Sequence, residues 1–176
     1  LLGEKESQFL KNRKILDAGC GTGEKSCFLA YYGANVIGID LSLSSLKKAK
    51  NLAKNYRIKN VTFVREDLMQ FEVKKRKFDY VVCTGVLHHL SNPYKGFVNL
   101  SKTIKKDGYI ILGLYNYYSS LGIRFKRKLI SLLGNDKEQK IKIANFLFNK
   151  NKTPSNKDRI WIADQYIHPN EIYFSF

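Results

Sequence analysis

The stretch "ILDAGCGTGE", residues 15–24, decides how the rest of the chain is read. An apolar run ends in Asp17, and glycines follow at positions 19, 21 and 23. A glycine-rich turn directly after a strand brings backbone N–H groups close to a nucleotide-bearing ligand. Dinucleotide sites need Gly-x-Gly-x-x-Gly, with the third glycine allowing close helix–strand packing. Here Glu24 stands at that third position and Gly23 one residue earlier, so the pattern is Gly-x-Gly-x-Gly. A carboxylate at a helix start also opposes a diphosphate. The pattern weakens the dinucleotide reading, and its later companions must say which ligand the turn takes.

Those companions fall in a regular order. "KILDAG" (14–19) predicts a buried strand, and 22–32 a helix with Cys27, Phe28 and Ala30 toward a sheet. "NVIGID" (35–40) is a second strand. Ser42 then caps a helix on which Leu46, Ala49 and Ala53 share a face. "NVTFVRED" (60–67) is a third strand, and "FDYVVCTGV" (78–86) a fourth, almost continuously apolar as for a strand covered on both faces. Pro93 opens a helix to about residue 105 with Phe97, Leu100 and Ile104 inward, and "KDGYIILGLY" (106–115) is a turn plus fifth strand. Strand–helix alternation with short connections predicts an α/β fold with a doubly wound, mainly parallel sheet. Asp17, Asp40, Asp67 and Thr84 all fall at or just beyond strand carboxyl ends, where such sheets bind ligands.

"ILDAGCGTG" resembles motif I of the class I S-adenosylmethionine-dependent methyltransferases, with UbiE-like members as the nearest pattern. "VIGIDLS", "VREDLMQF", "FDYVVCTGVLHHLSNP" and "IKKDGYIILGLYN" match the later motifs in order, over about 14–116. The resemblance implies a Rossmann-like fold and S-adenosyl-L-methionine as cofactor. It also implies roles. Gly19, Gly21 and Gly23 would let the backbone approach the ligand's amino-acid end. Asp17 would put negative charge near its ammonium and sulfonium, directly or through water, and Ala18 and Cys20 would complete the cofactor-binding turn. Asp40 would accept both ribose hydroxyls, and Asp67 the adenine amino group. Leu41 and Leu68 would contact the ring, and Thr84 would sit near the methionine part. The reaction implied is transfer of the sulfonium methyl to an O, N or C nucleophile of a small-molecule acceptor.

His88 and His89 follow the fourth strand, where acceptors often lie, and are candidates for a general base. "SNPY" (91–94) lacks the paired prolines of enzymes that methylate amino groups of nucleic-acid bases, which counts against an adenine N6 acceptor. Residues 1–118 are expected to form the cofactor-binding core. Residues 119–176 would be a helical lid on the substrate side, with basic helices at 119–133 and 137–149 and the start of an incomplete C-terminal part. Leu121, Phe125, Leu129 and Leu132 line one side of the first helix, and Tyr166, His168 and Glu171 are candidates for acceptor contact.

The chain has 176 residues, 44% hydrophobic and 26% charged, enough for one domain with a core. No apolar run reaches the roughly 18 residues a spanning helix needs, so a cytoplasmic location is expected. Three cysteines without metal-ligand spacing suggest neither a disulfide framework nor a metal site. Cys20 and Cys83 are expected to be apolar fillers. The first residue is Leu1, and no sixth or seventh strand is recognisable, so a fragment truncated at the C-terminal edge is expected. The net charge of +16 is mostly lysine spread along the chain, which fits a biased composition as well as a polyanion partner. A silent cofactor-binding module and an RNA- or DNA-associated protein remain the alternatives to an enzyme.

Overall fold

The computed structural model describes residues 8–72, 77–115, 118, 120–149 and 153–167. It divides into two compact units, 1–114 and 115–176.

In the first unit, β1 (Lys14–Ala18), β2 (Asn35–Asp40), β3 (Val61–Arg65), β4 (Phe78–Thr84) and β5 (Ile104–Gly113) form one sheet in the order β3-β2-β1-β4-β5. Every neighbouring pair is parallel. A parallel sheet needs a crossover between neighbours, and helices supply most of them. They are α1 (Glu24–Tyr31), α2 (Leu43–Asn55) and α3 (Pro93–Ser101). The strand pleat sorts side chains to the two faces. Leu16 and Ala18 pack with Val81, Cys83, Leu87 and Leu100 on the α3 face. Ile15 turns the other way and packs with Ala30 and Val36. Beside that cluster, Leu46, Ala49 and Ala53 of α2 meet Cys27 of α1 and Phe63 of β3. Full burial of a residue such as Leu16 or Leu100 contributes about 1.5–3 kcal/mol.

The helix starts follow the expected chemistry. Ser42 accepts from Ser45 N–H at 3.2 Å, and Asn92 caps α3 by accepting from Lys95 N–H at 2.9 Å. Three expectations are corrected. Phe28 is 48% exposed, and Ser26 takes the buried place on α1. The helix after Pro93 ends at Ser101, and Ile104 opens β5. The turn expected at 106–108 falls inside β5, at a register shift: Phe78 pairs with Ile104 and Tyr80 with Tyr109, so three extra residues of β5 are accommodated there. Among the described residues β5 has no partner on its outer side.

The second unit holds α4 (Leu121–Leu133), α5 (Lys137–Ala144) and α6 (Asn156–Ile162), with wide π-type turns at Asn145–Asn149 and Ala163–Ile167. Its core is Ile130, Ile141, Ala144, Ile162 and Tyr166. Of the stripe expected on α4, Leu121, Phe125 and Leu132 are exposed and Leu129 is half-buried, while Ile130, with Ile123 beside it, packs into the core. Ser155 and Asp158 form a reciprocal capping box that starts α6. No helix among the described residues is long and apolar enough to cross a membrane.

Candidate functional site

The chain adds β2 and β3 on one side of β1, then β4 and β5 on the other. The crevice beyond the carboxyl ends of β1 and β4 is therefore the switch point of the sheet, where such folds bind ligands. The turn of residues 19–23 lies there. Gly19 and Cys20 donate their N–H groups to the Ile39 carbonyl at 2.8 and 3.0 Å, which ties the turn to β2.

Two glycines in this turn do different work. Gly23 has φ of +85°, and a Cβ there would meet Ala49 Cβ at 2.6 Å and Phe63 Cζ at 2.9 Å. Its small size lets α1 pack against α2 and β3. Gly21 also has positive φ, +54°, but a Cβ there would meet nothing within 4 Å. Its bare backbone faces open space, as a surface that receives a ligand must.

Four polar residues lie at or just beyond the carboxyl ends of the strands. Asp40 accepts from Gly21 N–H at 2.9 Å through Oδ2 and from Ser42 N–H at 2.8 Å through Oδ1. Each carboxylate oxygen keeps a second lone pair, which suits a vicinal diol. Asp67 accepts from Met69 N–H at 2.9 Å, so it serves its own turn, while Oδ2 has only a long 3.5 Å contact from Gln70. Asp17 is fully buried, and its Oδ2 accepts from Ser26 Oγ–H at 2.6 Å. Its Oδ1 receives no aligned hydrogen bond from the described residues. The Lys25 ammonium lies 3.1 Å from that atom as an ion pair and donates to Thr84 Oγ1 at 2.7 Å. Glu24 is held at the helix start by the Thr22 hydroxyl, 2.6–2.7 Å away.

The parallel sheet thus brings Asp17, Ala18, the glycine turn, Asp40 and Thr84 to one edge. Leu41 is half-exposed beside Asp40, whereas Leu68 is buried in the α3-side core. His88 is fully buried, on a 3-10 turn (Leu87–His89), with the His89 ring 4.2 Å away and partly exposed. Tyr166 belongs to the core of the helical unit, where it packs edge-on against Trp161 at 5.8 Å. His168 and Glu171 lie outside the described residues. Cys20 is a buried thiol whose pKa is pushed up to about 12, first by burial and then by the Asp17 and Asp40 charges. Burial likewise raises Cys83 to about 11.

Sequence reasoning missed three residues. Lys25 and Ser26 follow the glycine turn directly and meet Asp17. Asn99 on α3 donates to the Leu68 and Met69 carbonyls at 3.0 and 3.2 Å, fixing the segment after Asp67. The polar Asn99 at an inward position of a helix was the available signal for the last.

The geometry fits a nucleoside joined to an α-amino acid. Gly21 leaves open space at its Cα, Asp40 retains acceptor capacity for a diol, and the buried Asp17 Oδ1 has the Lys25 ammonium beside it without an aligned hydrogen bond among the described residues. Comparison with known proteins bears on the family and the fold. The family described as "Methyltransferase domain" matches residues 9–161. The ubiquinone biosynthesis O-methyltransferase of Coxiella burnetii (strain Dugway 5J108-111) is 29% identical over 93% of this chain and 61% of its own length. The chain therefore spans less than two thirds of that relative. PKMT2 from Rickettsia typhi shares the fold at a TM-score of 0.69 and 22% identity, over 94% of this chain and 36% of that one. The same protein in complex with AdoHcy gives 0.68 and 23%, over the same shares. By the extent of the first match, the chain belongs to the methyltransferase domain family.

Proposed function

We propose that the chain carries an S-adenosylmethionine-dependent methyltransferase activity on a small-molecule acceptor. The observation that supports it most is the pairing of an open glycine turn with Asp40, whose two oxygens are held by Gly21 and Ser42 N–H groups and keep lone pairs outward. When bound, the cofactor supplies an electrophilic methyl on a sulfonium, which an acceptor O, N or C atom can attack. The chain's residues would do the holding. Asp40 anchors the ribose, Asp67 receives the adenine amino group, and Leu41 covers one side of the ring. Asp17 and Thr84 mark the amino-acid end. Positioning of this kind supplies much of a transfer rate without covalent chemistry from the protein.

His89, partly exposed, is better placed than the buried His88 to take the acceptor's proton. The O-methyltransferase name of the Coxiella relative favours a hydroxyl acceptor. The location is assigned to the cytoplasm in the same proposal. Titration calorimetry with S-adenosylhomocysteine tests the cofactor assignment. Wild-type protein should bind it, and Asp40→Ala should bind at least about tenfold more weakly, the loss of charge-assisted hydrogen bonds. Equal affinities would remove Asp40 from the ribose site. Binding without methyl transfer to any of a panel of hydroxyl, amine and carbon-acid acceptors would favour a silent binding module.

A further inference from the structure

Lys25 occupies a position that local rules do not favour. It is the second residue of the eight-residue α1, where the helix dipole disfavours a cation. Its side chain reaches across the switch-point crevice, from Asp17 at the end of β1 to Thr84 at the end of β4, at 3.1 and 2.7 Å. The two carboxylate oxygens of Asp17 are not equivalent. Oδ2 is satisfied by Ser26, while Oδ1 is buried and lacks an aligned donor among the described residues. A positive charge therefore already sits where the ammonium of an amino-acid ligand would seek Asp17. Two cations do not share one carboxylate oxygen comfortably, but an α-amino acid brings a carboxylate with its ammonium.

Resting on the cofactor assignment above, we infer that Lys25 is the specificity residue for the ligand's α-carboxylate. The ligand's ammonium takes Asp17 Oδ1, and the Lys25 ammonium turns to the ligand's carboxylate. The flexible four-carbon stem permits the move, and the side chain is 36% exposed, so no packed core opposes it. Among the described residues the ammonium makes one aligned hydrogen bond, to Thr84 Oγ1, and one ion-pair contact, with Asp17 Oδ1, so hydrogens remain for a newcomer. Lys25 thereby makes the site prefer ligands with a complete amino-acid end. Neutralising the buried Asp17 would be a purely structural role, and it predicts no such preference.

The test crosses two deletions, so that only their coupling is read. Calorimetry measures wild-type and Lys25→Gln protein with S-adenosylhomocysteine and with its decarboxylated analogue, which keeps the ammonium. Wild-type protein should prefer the complete ligand by about tenfold, in line with one charge-assisted contact. In Lys25→Gln that preference should shrink to within about twofold, and Lys25→Arg should restore most of it. An undiminished preference in Lys25→Gln overturns the inference and leaves the cofactor assignment standing. Equal wild-type affinities for the two ligands overturn it without any variant, even if Lys25→Gln fails to fold. Wild-type protein that binds neither ligand ends both proposals.

Discussion

Asp17 shows how a residue's place can be legible when its partners are not. The sequence puts it near a strand end before the glycine turn, and the structure has it there, fully buried in β1. Its partners were not legible, because they depend on the angle at which α1 leaves the turn. Leu16 and Ala18 face α3, so Asp17 faces α1 and meets Ser26 at 2.6 Å. Ser26→Ala should therefore cost about 1–3 kcal/mol, since it leaves a buried carboxylate oxygen without its donor. Urea unfolding measures this, and a loss below about 0.5 kcal/mol would mean that water replaces the hydroxyl. The cysteines give a second residue-scale expectation. With the Cys20 thiol pushed up to about 12 and Cys83 to about 11, neither forms thiolate at pH 8. Folded protein should resist iodoacetamide at both, while urea-unfolded protein reacts. Rapid native labelling at Cys20 would show that the turn opens.

At the scale of elements, the strands were easy to find because their apolar runs are short, continuous and bounded by polar or glycine residues. Helix faces and ends were harder. Hydrophobicity alone puts Phe28 inward, but α1 buries Ser26, Cys27 and Ala30, small residues that allow close approach. Ile104 fits a helical stripe and a strand equally well, and pairing with Phe78 decided for β5. The glycine turn offers a clean contrast between packing and ligand space. Gly23→Ala would force a Cβ to 2.6 Å from Ala49, at positive φ, and should destabilise by roughly 2–4 kcal/mol. Gly21→Ala meets no neighbour and should cost only about 1–2 kcal/mol for its backbone conformation. Yet Gly21→Ala places a methyl in the open cradle, so its larger effect should be on S-adenosylhomocysteine affinity. Thermal unfolding and calorimetry on the two variants separate these effects. Equal stability losses would show that the turn tolerates no side chain anywhere.

For the whole molecule, charge is the dominant asymmetry: 31 basic residues stand against 15 acidic ones. Each carboxylate that keeps its charge offsets self-repulsion, so those held below their usual pKa matter most at low pH. Asp79 is such a group, near the amino end of β4. Burial alone would raise its pKa, but the Lys105 ammonium at 2.7 Å and the Lys14 N–H at 2.7 Å hold it below the ordinary aspartate value. A depressed folded-state pKa means that the unfolded chain takes up its proton first as pH falls. The stabilisation is therefore fully present above about pH 4 and is lost as pH drops through the folded-state value. Asp79→Asn should lower the urea midpoint at pH 7 and show a shallower decline than wild type between pH 5 and 2. Parallel curves would mean that the Lys105 contact carries no net stability, as many exposed ion pairs do. Salt supplies the independent arm. Because net repulsion opposes the fold, raising sodium chloride from about 0.05 to 0.5 M at pH 7 should raise the melting temperature by roughly a few degrees. A fall instead would show that specific pairs such as Lys105–Asp79 and Arg159–Glu138 outweigh the global excess of positive charge.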